Sequence, residues 1–360
     1  MNRALTGGRL ADLLGITYPV IQGPFGGGLS AVALTAAVTA AGGLGSFGAH
    51  HLEPAGITEL VASLRAATDG PFAVNLWVPQ PAEALRPPVE ELVAHLARLQ
   101  PLFAQLKADP PDLMARFLPD YQAQVEALLA AAPPVISFVM GLPGPDVIER
   151  ARERGIVTIG TATTVDEAVA VEAAGLSVVV ASGSDAGGHR GAFLRPVAES
   201  LVGTFSLVPQ VADAVSIPVV AAGGITDGRG LAAALALGAD GVQIGTGFLA
   251  TAESGASEMH KVALRSPAAR TTVLTRLFSG RPARGILNDL VRELSSAEDD
   301  VPGYPIQNAL MRPIRSAAYA RGDVEHASLW AGQAANLATG QAAGDYLAAL
   351  IAEARTVLSG

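Results

Sequence analysis

The stretch PVVAAGGITDGRGLAAALALGADGVQIGTG, residues 218–247, decides the fold. It begins and ends with short runs, 218–224 and 241–247, in which apolar residues are nearly continuous rather than alternating with polar ones. Such runs are typical of parallel strands that are buried on both faces. The alanine-rich residues 227–238 between them have the composition of a helix. The stretch therefore predicts a strand, a helix and a second, parallel strand.

Six further apolar runs, bounded by glycine or proline, precede this stretch along the chain. They span residues 19–25, 43–49, 72–78, 135–141, 156–162 and 177–183. Alanine-rich stretches with a helical pattern lie between strands, as at residues 164–175. Eight strands with intervening helices favour an α/β fold of the (β/α)8 TIM-barrel type. A doubly wound parallel sheet is the alternative.

Two segments are additional to the eight strands and intervening helices of a minimal barrel. The connection after the third strand, about residues 79–133, is rich in proline and then helical in pattern, whereas residues 251–360 have the pattern of helices and loops. We expect the barrel to occupy residues 1–250, including this long insertion. The C-terminal extension, residues 251–360, is expected to be helical and to pack over the barrel mouth.

The composition favours small-molecule chemistry. Half of the 360 residues are apolar, the net charge is −9, and the basic residues are scattered along the chain. This distribution argues against binding to nucleic acid or to an anionic membrane. The absence of cysteine excludes disulfides, thiolate nucleophiles and cysteine-ligated metals, and it fits a reducing cytoplasm.

Residues 13–49 carry no charge, which raises the question of a membrane span. Glycines and prolines, however, divide this stretch into pieces that are too short to cross a bilayer. A buried strand, a helix and a second strand explain it better. The first residues show no apolar signal core followed by a cleavage site, so we expect a cytoplasmic protein.

Glycines at the ends of the seventh and eighth predicted strands indicate a phosphate site. The sequences there are AAGGI and IGTGF. In a barrel the chemistry lies where strands end and the following loops begin. Residues without side chains let an anion approach the backbone amides, and a nearby helix N-terminus would add to the attraction. The alternative is that the glycines only fit tight turns. The predicted phosphate ligands are Gly223, Gly224, Gly245 and Thr246.

These motifs, together with ASGSDAGGHRG at residues 181–191, resemble the nitronate monooxygenase family, formerly called 2-nitropropane dioxygenases. The tail is similar to the class I branch rather than to the shorter flavin-dependent enoyl-ACP reductases. The resemblance runs over most of the chain. Its other motifs are PVIQGPFGGG (19–28), FAVNLWVP (72–79), VISFVMGLP (135–143), RPARGILND (281–289), YPIQNALMRPIR (304–315) and SLWAGQ (328–333).

The resemblance implies an FMN-dependent barrel in which His189 is the catalytic base. The flanking glycines, among them Gly187 and Gly188, would let the loop run close under the flat flavin ring. An imidazole near its reference pKa of about 6.5 can remove a carbon-bound proton at neutral pH. The other histidines lack metal-ligand spacing, so no metal site is expected.

The resemblance also implies the remaining contacts. Arg190 and Tyr304 are candidates for substrate contact, although Arg190 could instead position Asp185 or its loop and Tyr304 could be a packed surface residue. Trp330 is interpreted as a core anchor. The predicted cofactor contacts are Gly23, Pro24, Phe25, Asn75, Ser182, Gly183, Asp185, Gly187, Gly188, Ala222, Gly223, Gly224, Gln243, Gly245 and Thr246.

The leading hypothesis is a flavin-dependent monooxygenase that oxidises nitroalkanes or nitronates with O2 to a carbonyl compound and nitrite. The alternative on the same scaffold is an NAD(P)H-dependent reductase of quinones or enoyl thioesters. A third possibility is a flavin-binding protein without turnover. The expected partners are the nitro or nitronate substrate and O2, without nucleic acid or membrane, and the expected state is a monomer or a homodimer.

Overall fold

The computed structural model, which describes residues 5–84 and 87–359, contains a closed barrel of eight parallel strands. The order around the barrel is β1-β9-β8-β6-β5-β4-β3-β2, and a parallel bridge between Ile21 and Leu44 joins the last strand to the first. The TIM-barrel prediction is confirmed, since a doubly wound sheet would have two open edges. The barrel strands are β1 (Val20–Gln22), β2 (Gly45–Gly48), β3 (Phe72–Trp77), β4 (Val135–Val139), β5 (Val157–Ala162), β6 (Val178–Ser182), β8 (Val219–Ala222) and β9 (Gly241–Ile244).

Each of the eight predicted apolar runs contains one of these strands. Nearly every strand residue is buried, because the inner face packs in the barrel and the outer face packs on helices. Between barrel strands β6 and β8, the short strand β7 (Gly188–His189) lies outside the barrel.

Helices cover the outside of the barrel and its mouth. Several begin at a residue whose side chain accepts a hydrogen bond from a first-turn amide, as at Asp120, Thr164, Asp227, Ser257 and Asn288. The helices are α1 (Arg9–Leu14), α2 (Val32–Ala40), α3 (Pro54–Ala67), α4 (Val89–Leu106), α5 (Tyr121–Ala131), α6 (Pro145–Glu153), α7 (Val165–Ala173), α8 (Thr204–Ala214), α9 (Gly228–Ala236), α10 (Thr246–Leu249), α11 (Glu258–Leu264), α12 (Asp289–Leu294), α13 (Ile306–Arg321) and α14 (Ala343–Ser359).

The last helix, α14, completes the outer ring of the barrel between α9 and α2. The Tyr346 hydroxyl donates to the Thr226 carbonyl at 2.6 Å, and the Gly228 amide donates to Glu353 at 2.8 Å. This helix therefore belongs to the barrel in space, although it follows residue 250 in sequence. The predicted division at that residue stays a prediction, and its residues 1–4, 85–86 and 360 lie outside the described part.

A second apolar core joins the insertion to the C-terminal segment. Leu92, Phe103 and Leu106 of α4 pack with Leu310 and Ile314 of α13. The other helix of the insertion, α5, packs instead between α3 and α6 in the outer ring of the barrel. The part of the insertion that departs from the barrel is therefore the region around α4.

The C-terminal segment is mainly helical but contains two strands, β10 (Thr272–Thr275) and β11 (Ala283–Ile286). The expectation of helices and loops alone was wrong at these residues. The two strands form an antiparallel hairpin, and β11 also pairs with β7, so that Ala283 faces His189 and Arg284 faces Gly188. This three-stranded sheet fastens the C-terminal segment to the loop that follows β6.

No helix among the described residues is long and apolar enough to cross a membrane. The uncharged residues 13–49 form α2, β1 and β2, with part of α1.

A buried histidine holds the segment 328–333 through a hydrogen bond to its backbone. His260 is fully buried (0% exposed), its Nε2–H donates to the Trp330 carbonyl at 3.1 Å, and its Nδ1 has no partner among the described residues. Burial lowers the pKa of His260 to about 4, although the hydrogen bond to Trp330 partly opposes this. The folded protein therefore holds this imidazole neutral.

We expect acid to destabilise the fold through His260. The pKa of His260 is lower in the folded protein than in the unfolded chain. Its contribution to the free energy of unfolding is therefore complete above about pH 6.5 and is lost as the pH falls. At about pH 5 the loss is about 2 kcal/mol for this residue alone. Urea unfolding at about pH 7.5 and about pH 5 should show a smaller pH dependence in His260→Gln than in the wild type. His95→Gln, at a partly buried site on α4, is the control; an unchanged pH dependence in His260→Gln would contradict the assignment.

Candidate active site

A cavity of about 660 Å³ opens at the carboxyl ends of the barrel strands. Its volume lies in the range of about 300–1,000 Å³ that is usual for small-molecule sites. The C-terminal segment and the insertion cover it. Most of the predicted site residues line this cavity: Gly23, Pro24, Phe25, Asn75, Ser182, Gly187, Gly188, His189, Ala222, Gly223, Gly224, Gln243, Gly245, Thr246 and Tyr304.

Three predicted residues, Gly183, Asp185 and Arg190, do not line the cavity but lie behind its wall. The Arg190 side chain is 1% exposed and donates to the carbonyls of Gly183 at 2.6 Å and Ser182 at 2.7 Å. Asp185 Oδ2 accepts the backbone N–H of Thr204, at the start of α8, at 2.6 Å. These contacts hold the backbone after β6 in place. The structure thus gives Arg190 a positioning geometry rather than a direct contact with a bound substrate.

The glycines after β8 and β9 line the cavity with backbone amides that have no acceptor among the described residues. Gly223 and Gly224 have φ values of +109° and +67°, which side chains rarely adopt. A Cβ on Gly223 would lie 2.8 Å from Thr204 Oγ1, and one on Gly224 would lie 3.2 Å from Asp185 Cβ. Within the described residues, the N–H groups of Gly223, Gly224 and Gly245 donate to no protein acceptor. Donors of this kind at a cavity wall suit an anion.

Gly187, two residues before His189, makes room for the C-terminal segment. A Cβ on Gly187 would lie 2.5 Å from the backbone nitrogen of Gly332. The Gly332 amide donates to Thr246 Oγ1 at 3.0 Å, and the Gln333 amide donates to the Asp185 carbonyl at 3.0 Å. The segment 328–333 therefore closes over the same edge of the cavity as the glycines after β8 and β9. Sequence analysis missed this role.

His189 stands on β7 with its ring between two tryptophans. The ring centroid is 4.9 Å from Trp77 and 5.2 Å from Trp330, and Nε2 lies 2.9 Å from Ser279 Oγ. Burial, and to a smaller extent the charge of Arg315, lowers the pKa of His189 to about 3. The imidazole is therefore neutral at physiological pH. The sequence-based expectation of a pKa near the reference value was too high, because it could not include this environment.

A second histidine faces the cavity from the end of β2. The ring of His50 stacks on Trp77 with centroids 3.9 Å apart and planes 10° apart. Its Nδ1 is buried without a partner among the described residues. Burial above all, and then the neighbouring His51, His189 and Arg281, holds the pKa of His50 well below its usual range.

The positive charge of the cavity comes from arginines. Arg312 and Arg315 of α13 line it, and Arg315 donates to Asn308 Oδ1 at 2.7 Å. Burial lowers the pKa of Arg315 to about 10, so this guanidinium stays charged at neutral pH. The sequence motif that includes these residues was recognised, but nothing in the sequence placed their side chains at the barrel mouth.

Arg281 connects the insertion to the hairpin at the edge of the cavity. It forms a buried ion pair with Glu83 and lies 5.2 Å from the ring centroid of Tyr304 and 5.7 Å from that of Trp77. Burial raises the pKa of Tyr304 to about 12, so its hydroxyl stays protonated. Tyr304 can therefore donate a hydrogen bond into the cavity.

No group of three or more histidine, aspartate or glutamate side chains in the described residues could hold a metal ion. The chain contains no cysteine.

Comparison with known proteins points to one family. A sequence model described as nitronate monooxygenase matches residues 8–353. A probable nitronate monooxygenase of Staphylococcus saprophyticus is 40% identical over 354 residues, which is 98% of each chain. One from Staphylococcus aureus is 41% identical over 351 residues, 97% of this chain and 98% of that relative.

Two solved structures also match this chain over nearly its whole length. The nitroalkane oxidase from Streptomyces ansochromogenes is 41% identical, with a TM-score of 0.88 over 97% of this chain and 99% of that one. FabK from Thermotoga maritima is 30% identical, with a TM-score of 0.76 over 97% of this chain and 96% of that one.

Proposed function

Because this chain belongs to the nitronate monooxygenase family, which makes it an oxidoreductase, we propose that it binds FMN and oxidises nitroalkanes or nitronates with O2. The products would be a carbonyl compound and nitrite. The observation that carries the proposal is the placement of His189, open glycine amides and cationic side chains around one cavity.

The residues present fit FMN. Its terminal phosphate matches the open amides after β8 and β9, where any Cβ on Gly223 would collide with neighbouring atoms. Asn75 is 3% exposed and donates from Nδ2 to Ser137, which leaves Oδ1 as an acceptor for a ring N–H. The residues that would hold the cofactor are Gly23, Pro24, Phe25, Asn75, Ser182, Gly187, Gly188, Ala222, Gly223, Gly224, Gln243, Gly245 and Thr246, while Gly183 and Asp185 support them from below.

Bound FMN would supply the redox chemistry by accepting electrons from the organic substrate and passing them to O2. The protein supplies a base, orientation and charge. Neutral His189 can take the α-proton of a nitroalkane, which produces the nitronate anion. The fixed charge of Arg315 stabilises that anion and attracts one that arrives already formed. Tyr304 offers a neutral hydrogen-bond donor at the same wall.

The low pKa of His189 shapes the expected substrate preference. A neutral imidazole is ready to accept a proton at any physiological pH, but a low pKa makes it a weak base. Nitronates need no proton transfer at carbon. We therefore expect preformed nitronates to react faster than the neutral nitroalkanes.

The reductase alternative has weaker support. The similarity to FabK is lower in both identity and TM-score than the similarity to the nitroalkane oxidase. The cationic wall formed by Arg312 and Arg315 also favours a small anionic substrate. Dependence on reduced nicotinamide separates the two functions experimentally.

The variant His189→Asn tests the role of His189 as a base without removing the bound FMN. Asparagine is polar but cannot accept a proton at neutral pH, so turnover of neutral nitroalkanes should fall by roughly 10²- to 10⁴-fold while FMN binding is retained. Oxidation of preformed nitronate should fall much less. The measurements are nitrite release and O2 uptake with each substrate form.

The matched control is His95→Asn, at a histidine on α4 that does not line the cavity. It should leave both activities unchanged. Equal losses on the two substrate forms in His189→Asn would mean that His189 serves binding rather than proton transfer. If the wild-type protein is inactive on both forms, the proposed oxidation of nitronates is wrong.

The variant Gly224→Val tests the phosphate cradle. At a φ of +67° and with Asp185 Cβ at 3.2 Å from the new Cβ, a branched side chain must displace the backbone at this part of the cavity wall. We expect FMN to bind at least about 10-fold more weakly, which corresponds to about 1.4 kcal/mol. Quenching of flavin fluorescence during titration measures this.

Gly56→Ala is the control for Gly224→Val, because that glycine lies in α3 and its added Cβ would meet nothing closer than 3.6 Å. Its FMN affinity should match the wild type. Unchanged affinity in Gly224→Val, or release of FAD rather than FMN from the denatured wild type, would count against the proposed cofactor site.

A further inference from the structure

Ser279 lies behind the His189 ring, in the turn between β10 and β11. Its side chain is fully buried (0% exposed) and is not part of the cavity lining. Its Oγ is 2.9 Å from His189 Nε2 and 3.0 Å from the carbonyl oxygen of Arg281. One hydroxyl group therefore contacts both the proposed base and a backbone acceptor.

Counting protons fixes the direction of both hydrogen bonds. A serine hydroxyl has one proton, and a carbonyl oxygen can only accept. The Ser279 proton therefore points to Arg281, and among the described residues it is the only donor to that carbonyl. Oγ also accepts the backbone N–H of Arg281 at 3.4 Å, and its other lone pair faces His189 Nε2, which must then carry the ring proton. The opposite arrangement would leave the buried Arg281 carbonyl without a donor, at a cost of about 1–3 kcal/mol.

We propose that Ser279 is a positioning residue that holds His189 in its Nε2–H tautomer, so that Nδ1 is the atom that removes the substrate proton. The proposal rests on the proposed function of His189 as the base. Because Ser279 lies outside the cavity lining, Nε2 is turned toward the protein and Nδ1 is the ring nitrogen left for the substrate.

The same hairpin fixes the backbone and the ring of His189. Strand β11 pairs with His189 through Ala283, and the turn before β11 supplies Ser279. An imidazole held by a hydrogen bond at one nitrogen keeps one tautomer and one orientation, as in catalytic triads. Ser279 differs from a triad carboxylate because it is neutral, so it orients the ring without offsetting the nearby charge of Arg315.

The direct test is the tautomer of His189 in the FMN-loaded protein. Long-range ¹H–¹⁵N correlation spectra of protein labelled with ¹⁵N-histidine distinguish the two tautomers, and the chain has only 6 histidines to assign. The His189 signals are those missing from His189→Asn. We expect a protonated Nε2 and an unprotonated Nδ1 at about pH 7.5, as the hydrogen-bond directions require. A protonated Nδ1 in the wild type would overturn the proposal, whatever the enzyme oxidises.

Variants of Ser279 test the effect of this residue on turnover. Ser279→Ala removes the acceptor for Nε2–H, so the Nδ1–H tautomer should become populated and turnover of neutral nitroalkane should fall by about 10- to 100-fold. Turnover of preformed nitronate should stay within about twofold, because no proton is removed from carbon. Ser279→Thr keeps the hydroxyl and should restore the wild-type tautomer and most of the activity. The control is Ser206→Ala, at an exposed serine of α8.

The outcomes separate the two claims. An Nε2–H tautomer in a wild type that oxidises neither substrate form would support the positioning role of Ser279 and overturn the proposed function. An unchanged tautomer in Ser279→Ala, or equal losses on neutral and anionic substrates, would overturn the positioning role. If neither variant folds, the wild-type spectrum still decides the tautomer.

Discussion

The antiparallel pairing of β7 with β11 is the contact on which the candidate site depends. It joins Gly188–His189, from the loop after a barrel strand, to Ala283–Arg284, from the C-terminal segment. The loop is rich in glycine and could adopt many conformations without this pairing. With it, the histidine has a fixed backbone, a serine behind its ring and two tryptophans beside it. The site is thus composed of two parts of the chain that are about a hundred residues apart.

The electrostatics of the cavity follow from burial. Burial lowers the pKa of His189 to about 3 and that of His50 well below its usual range, whereas Arg315 keeps a pKa of about 10. Across the physiological range His189 and His50 are therefore neutral, and Arg315 is charged. A wall of fixed positive charge beside a neutral base suits a reaction whose substrate is an anion or becomes one. In the proposed reaction, the same wall would offset the weakness of the base, because it would stabilise the anion that proton removal produces.

The sequence predicted the barrel well because its signals are local. Eight continuous apolar runs, each followed by glycine or a turn, identify parallel strands without knowledge of distant contacts. The glycines after β8 and β9 could be located at the cavity for the same reason, since strand ends of a barrel converge on one face, while their role as a phosphate site stays a proposal. The role of His189 came instead from the family resemblance, and it stays a proposal.

What the sequence could not reveal depends on contacts between distant segments. Strands β10 and β11 are four residues each, and their mixed residues TVLT and ARGI form strands only because they pair with each other and with β7. Trp330 was expected to anchor the core; it packs against the second core, and it also lines the cavity beside His189, which the sequence did not reveal. The depressed pKa of His189 and the contact with Ser279 likewise arise from residues brought together only by the fold. The sequence left open whether Arg190 contacts the substrate or positions its loop, and its hydrogen bonds to Ser182 and Gly183 favour the second.

The central claim is that electrons enter from the nitro substrate rather than from a reduced nicotinamide. The anaerobic absorbance spectrum of the FMN-loaded protein tests it in one experiment, with preformed nitronate added to one sample and NADH or NADPH to another. We expect the nitronate to change the flavin spectrum rapidly and the nicotinamides to leave it unchanged. Rapid bleaching by NADH or NADPH, with no response to nitronate, would contradict the claim and identify the protein as a reductase.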